Sequence, residues 1–262
     1  MPYSPASVCD DDVAVNLARL AVYRFLAISL TDPRHGAWSR LAALREGDVL
    51  PQAAALLRQS QADAELGPAE LAGEDLDPAR ALASLPEGQE ALNAQYEATF
   101  GLLVSGRCPP YETEYVNSKF SFQRSNGLAD VAGYYAAFGV GVAGARPERP
   151  DHITLELEFM ALLVDLERRA MECGDASSIE RRAICRDAQA SFLREHLAWW
   201  APAFAKLLRY EAGGEFYAAI GRLLAAFIPL ERALLGVPIV APVDSLEPPE
   251  PLETCEGCGL AG

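Results

Sequence analysis

The amino-acid sequence predicts an all-α protein, one large helical domain followed by a flexible C-terminal tail. Ala, Leu, Glu and Arg dominate the chain, and all four favour helix. β-Branched residues rarely alternate with polar ones over the length that a strand requires, whereas apolar residues recur at helical spacing in segment after segment. Half of the 262 residues are apolar, enough to bury a sizeable core. The helical domain is expected over residues 1–236, with a hinge loop near 139–151, and the tail over 237–262.

The first helix should start after Asp10, Asp11 and Asp12, whose charges suit a helix N-terminus, and run to about Leu30. Leu17, Leu20, Val22, Phe25, Leu26 and Leu30 give it a broad apolar face, and Thr31-Asp32-Pro33 ends it. Residues 61–90 hold eight acids against one base, and Pro68, Pro78 and Pro86 interrupt them, so a loosely packed acidic connector is expected. A helix then runs from beyond Pro86 to about Phe100, and Gly106 and the Pro109-Pro110 pair mark a loop over 101–110. Two helices, Tyr115 to Phe122 and Leu128 to Phe138, are read on either side of a Ser125-Asn126-Gly127 turn. The strongest pattern begins at Asp151 and ends near Cys173, with apolar residues on two sides, and should form the centre of the fold. Further helices are expected over 177–198, 202–212 and 214–235. The tail holds five prolines and five acids with no base, which predicts an extended, mobile segment.

Composition narrows the partners. A net charge of −15 repels phosphate backbones and anionic lipid headgroups, which argues against nucleic acid or a membrane surface and permits a cationic peptide. The N-terminus lacks the basic and apolar regions of an export signal, so a cytoplasmic location is expected. The longest uncharged stretch, Val131 to Ala145, is shorter than the roughly 20 residues of a membrane span, so no transmembrane helix is expected. Six cysteines spread thinly over the chain are expected to be reduced thiols.

Four local patterns carry a family resemblance. They are Tyr96-Glu97-Ala98-Thr99-Phe100, Pro109-Pro110-Tyr111-Glu112-Thr113-Glu114-Tyr115, Glu148-Arg149-Pro150-Asp151-His152 with Glu156 to Met160 downstream, and Phe192 to Leu197 with Trp200, Pro202 and Phe204. In order and spacing, over roughly residues 13–235, the chain resembles the TorD/DmsD/NarJ family of redox-enzyme maturation chaperones. Arg149, which separates Glu148 from Pro150, departs from the family's shorter or differently ordered loop. The resemblance implies a TorD/DmsD-like helical bundle with no enzymatic activity and no cofactor. Its partners would be the catalytic subunit of a molybdenum-containing oxidoreductase and that subunit's twin-arginine or equivalent leader. It also implies a monomer or a helix-swapped dimer. Pro109, Pro110, Tyr111, Glu112, Asp151 and His152 carry over as lining the peptide site, with Tyr96 and Phe100 from the first pattern.

The chemistry of such a leader agrees with this. Two guanidinium groups followed by an apolar stretch need carboxylates beside an apolar groove. Glu112, Glu114 and Asp151 can supply the first, and Tyr111, Tyr115 and Phe120 the second. Asp151 is equally suited to cap the helix that follows it. His152, in the first turn, should stay neutral beside the positive helix end.

Other signals are weaker. Gly139-Val140-Gly141-Val142-Ala143-Gly144 matches a dinucleotide fingerprint, but a helical pattern precedes it where a strand is needed. His152 and Glu156, with Glu158, would suit a metal-dependent hydrolase, yet the chain has only three histidines and no third ligand falls into pattern. Cys255 and Cys258 have the spacing of half a zinc site or a redox pair, and thiols without fixed structure are the default reading. A helical scaffold for some other partner is the remaining alternative.

Overall fold

The computed structural model describes residues 10–61, 63–101, 107–116, 121–141, 148–173 and 175–240. Helices α1 (Asp10–Leu30), α2 (Ala37–Ala43), α3 (Val49–Ser60), α4 (Pro78–Ala83) and α5 (Gln89–Phe100) make the first half. The second half comprises α6 (Ser121–Ala137), α7 (Ile153–Cys173), α8 (Ala176–Phe192), α9 (Ala198–Glu211) and α10 (Glu215–Leu235). Among the described residues no strand is formed, and the sole β pairing is an isolated antiparallel bridge between Tyr111 and His152.

The core forms where α1 packs on α7 and α3, α7 on α8, and α9 on α10. Leu157, Met160, Leu163 and Val164 of α7 are fully buried, as are Phe216, Ile220, Leu224 and Phe227 of α10. By length and composition α1 could cross a membrane, but 67% of its apolar window is buried inside the protein, as in a core helix.

Four local readings need correction. Residues 125–127 form no turn, because α6 runs unbroken through them. Gly127 serves a close approach instead, since a Cβ there would meet Thr113 Cγ2 at 3.3 Å. Tyr115, expected to open a helix, follows a short 3-10 turn at Glu112–Glu114 and is not helical.

Helices α8 and α9 are continuous across Pro202, joined by a π-turn at Leu193–Leu197. A proline ring collides with the carbonyl four residues back, here Ala198, and the π-turn ending at Leu197 supplies slack there.

The acidic connector is a packed strap. Glu70 pairs with Arg232 at 2.5 Å with both side chains almost fully buried, Leu71 N–H donates to the Ala225 carbonyl, and Leu76, Leu82 and Leu85 enter the core. Burying a few leucines each turn outweighs the acids, which face outward or find arginines.

Gly139, first glycine of the fingerprint-like run, ends α6. It has φ 70°, its N–H bonds the Ala136 carbonyl, and Val140 N–H reaches back to Tyr135, the pairing of a Schellman cap. α10 ends likewise at Gly236, and Val237 just beyond it is buried. Cys255 and Cys258 lie outside the described residues.

Candidate functional site

The second and third sequence patterns meet across the single bridge. Glu112 N–H donates to the Asp151 carbonyl and Ile153 N–H to the Pro110 carbonyl, both at 2.9 Å. Pro109 and Pro110 are buried, and their fixed φ holds the strand-like entry to this pairing. Tyr115, 2% exposed, pins the loop from below, its hydroxyl donating to the Pro109 carbonyl and its ring packing on Trp200 at 5.2 Å.

Asp151 is fully buried and saturated. Its Oδ2 accepts from Thr113 N–H (3.1 Å), the Thr113 hydroxyl (2.7 Å) and Arg149 Nη2 (2.8 Å), and its Oδ1 accepts from Arg149 Nε (3.0 Å). Its carboxylate therefore ties the two loops together and does not cap α7. His152 takes that role, its Nδ1 accepting from Thr154 N–H at 3.2 Å. Burial pushes the His152 pKa down to about 4 against the pull of Glu148 and Asp151, so the ring is neutral and keeps its acceptor.

The second and fourth patterns meet below. Glu112, 4% exposed, accepts from Trp199 Nε1 at 2.9 Å and sits 3.1 Å from His196 Nδ1. Glu156 lies beside it, fully buried, accepting from Trp200 Nε1 at 3.1 Å. Burial, and next the neighbouring Glu112, hold the Glu156 carboxyl well above its usual range, which favours its neutral form. Its Oε1 finds no donor among the described residues, which fits an oxygen that itself carries the proton and donates to Glu112.

At the surface stand Tyr111, Glu114, Glu148 and Arg149. Arg149 lies over the Tyr111 ring at 4.2 Å, and the Tyr111 hydroxyl donates to Glu148 Oε1 at 3.2 Å. Burial, and then Glu148, push the Tyr111 phenol up to about 12. Tyr135 donates to the Pro150 carbonyl and also walls an apolar cleft of about 210 Å³ with Val140, Leu155, Phe159 and Leu162, at whose rim Glu158 sits.

Of the sequence-derived site residues, Tyr111 and Glu114 are half-exposed at this surface and Tyr96 is half-exposed on α5. Pro109, Pro110, Glu112, Tyr115, Asp151 and His152 form the buried frame beneath it. Phe100 is a core residue, 5% exposed against Tyr96 and Tyr217, and Phe120 lies outside the described residues. Thr113, His196, Trp199 and Arg149 carry the frame without having been assigned to the site. Their only sequence signal is membership of, or adjacency to, the four patterns. His152 Nδ1 is taken by Thr154 N–H and Glu156 Oε2 by Trp200, and among the described residues no three His, Cys, Asp or Glu side chains are grouped to hold a metal.

Comparison with known proteins gives the same grouping. The family model described as nitrate reductase delta subunit matches residues 67–206. The chain is 33% identical over 147 residues to the selenate reductase assembly chaperone protein of Thauera selenatis, covering 56% of this chain and 72% of that one. It is 33% identical over 151 residues to the chlorate reductase assembly chaperone protein of Ideonella dechloratans, covering 57% and 72%. It is 29% identical over 126 residues to the chaperone protein TorD of Photobacterium profundum, covering 48% and 55%. The chain therefore belongs to the nitrate reductase delta subunit family of TorD/NarJ-type maturation proteins, and it is an assembly chaperone and not an enzyme.

Proposed function

We propose that this chaperone works in the cytoplasm on the catalytic subunit of a molybdenum-containing oxidoreductase, holding the subunit's N-terminal leader until cofactor insertion is complete. The relatives named for selenate and chlorate reductase assembly support that client class. The observation that carries leader binding is the juxtaposition at the bridged loops. A surface with Tyr111, Glu114 and Glu148 adjoins the apolar cleft between the end of α6 and the start of α7, through Tyr135 and Pro150. A cationic segment followed by an apolar one matches that order, and the net charge of −15 draws it in. In this reading the apolar part of the leader packs on Leu155, Phe159 and Leu162, and its arginines face the carboxylates.

A synthetic twin-arginine leader should bind with micromolar or better affinity by calorimetry, about −8 kcal/mol. Leu155→Glu, on a half-buried wall of the cleft, should weaken that at least about tenfold, roughly 1.4 kcal/mol, with the helical spectrum unchanged. Undiminished binding by this variant would move the leader elsewhere. A parent protein that neither binds the leader nor co-purifies with a co-expressed catalytic subunit would remove the proposal altogether.

A further inference from the structure

The loop pair contains a complete receptor for one guanidinium group, and the chain fills it with its own arginine. Arg149 spans both oxygens of Asp151 through Nε and Nη2. Its Nη2 also donates to the Thr113 hydroxyl at 2.6 Å, its Nη1 reaches Glu114 at 3.4 Å, and its face lies on the Tyr111 ring. This is a full set of partners for an arginine: a fork onto a carboxylate, a hydroxyl, a second carboxylate and an aromatic face. A lysine could satisfy one of these contacts at a time.

The receptor is more deeply buried than its occupant. The Asp151 side chain is fully covered, while that of Arg149 is 39% exposed. Asp151, Thr113, Glu114 and Tyr111 are held by the bridge, by the 3-10 turn and by the start of α7, none of which uses the Arg149 side chain. Withdrawing Arg149 would uncover a rigidly placed, desolvated carboxylate at the edge where the loops face solvent.

We propose that Arg149 is an internal competitor, occupying a site that takes an arginine of the client leader, so that binding proceeds by exchange of one guanidinium for another. This rests on the leader-binding reading above and adds the regulation of that site. A side chain tethered two residues from its receptor acts at high effective concentration, so the chaperone holds weakly and releases readily. It also selects: an arginine-bearing leader can replace every contact Arg149 gives up, and a lysine-bearing one cannot.

The test compares the parent with Arg149→Ala and with Arg149→Met, which keeps an apolar stem against Tyr111. The probes are a twin-arginine leader, its twin-lysine counterpart, and argininamide. Both variants should bind the twin-arginine leader at least about tenfold tighter than the parent, as when a site free a tenth of the time becomes always free. Twin-lysine binding should stay unchanged. Argininamide should raise the melting temperature of the variants and not that of the parent.

If the variants bind the twin-arginine leader no better than the parent, the competitor role is overturned while leader binding stands. If neither parent nor variants bind any leader but argininamide protects the variants alone, the self-filled arginine site stands and the leader reading falls. If both variants lose their helix and argininamide does not restore it, Arg149 is a structural strut and the proposal is overturned.

Discussion

Two buried polar clusters sit in this helical protein, one in the main core and one beneath the bridged loops, and they handle charge differently. In the core, Arg19 of α1 forks onto Glu231 of α10 at 2.8 and 2.7 Å and donates to Asn16 and Gln189, while Tyr23 donates to Glu231. A cation meets a carboxylate, with neutral groups taking the remaining bonds. Under the loops, Glu112, Glu156 and Asp151 lie close together, and the side chains beside Glu112 are His196 and Trp199, with no arginine forked onto it. That cluster is relieved by the raised Glu156 pKa, which favours the neutral carboxyl, and by the half-exposed Arg149. Matched charge suits an element that never moves. Proton-balanced, partly exposed charge suits a surface that exchanges partners.

The largest expected effect breaks the first cluster. Glu231→Ala leaves Arg19 fully buried with Glu167 as its remaining carboxylate at 3.8 Å, and removing one partner of a buried pair costs about 3–5 kcal/mol. Urea unfolding should show this loss. The double variant Arg19→Met with Glu231→Leu should recover most of it, because no charge is then left without a partner. A single variant within about 1 kcal/mol of the parent would mean that the core cluster is no weld.

The second cluster should reveal itself through pH. Glu156 has a folded pKa raised above its unfolded value of about 4.5, so its stabilising contribution is complete below that pH and declines as pH rises towards the folded value. Glu156→Gln, which keeps the shape, should remove this decline. Its stability relative to the parent should grow above pH 4.5 by up to about 1.4 kcal/mol per pH unit. His152 works in the opposite direction. Its folded pKa is depressed from 6.5 to about 4, so the unfolded chain takes the proton first and stability falls as pH drops through that interval. His152→Gln should flatten that fall. Parallel pH curves for parent and variants would show that neither group is held in its buried neutral form.

The helices were legible wherever burial follows one strong period, as in α1, α7 and α10. The sequence misleads where the local meaning of a single punctuating residue is overridden by its surroundings. Gly127 looked like a turn and is a close approach to Thr113, and Pro202 looked like a helix start and is absorbed by a π-turn. Both meanings depend on neighbours distant in sequence. The site was legible as a set of loops and not as a set of roles. Asp151 and Glu112 stand out in the sequence as carboxylates for a leader arginine, but their present partners, Arg149 and Thr113 for the first and Trp199 for the second, come from the fold and not from spacing. Arg149 looked like an intrusion into a pattern, and sequence spacing cannot show which carboxylate a flexible side chain will find.

The acidic strap of residues 61–90 gives the smallest expected effect. Two of its acids face arginines of the same helix, α10. Glu70 meets Arg232 at 2.5 Å with side-chain exposures of 3% and 4%, whereas Asp75 stands 3.8 Å from Arg222 with exposures of 33% and 45%. Water and salt screen the second pair, and exposed pairs of that kind contribute about 0–1 kcal/mol. Asp75→Asn should therefore shift urea stability by less than about 0.5 kcal/mol and leave leader affinity unchanged. Glu70→Gln should cost several times more, because Arg232 would stay buried facing an amide. If the two substitutions cost the same, burial does not set the strength of these pairs, and the contrast between core weld and loop cluster loses its physical basis. If Asp75→Asn alone weakens the leader, the strap lies within the binding surface and the site extends from the bridged loops towards α10.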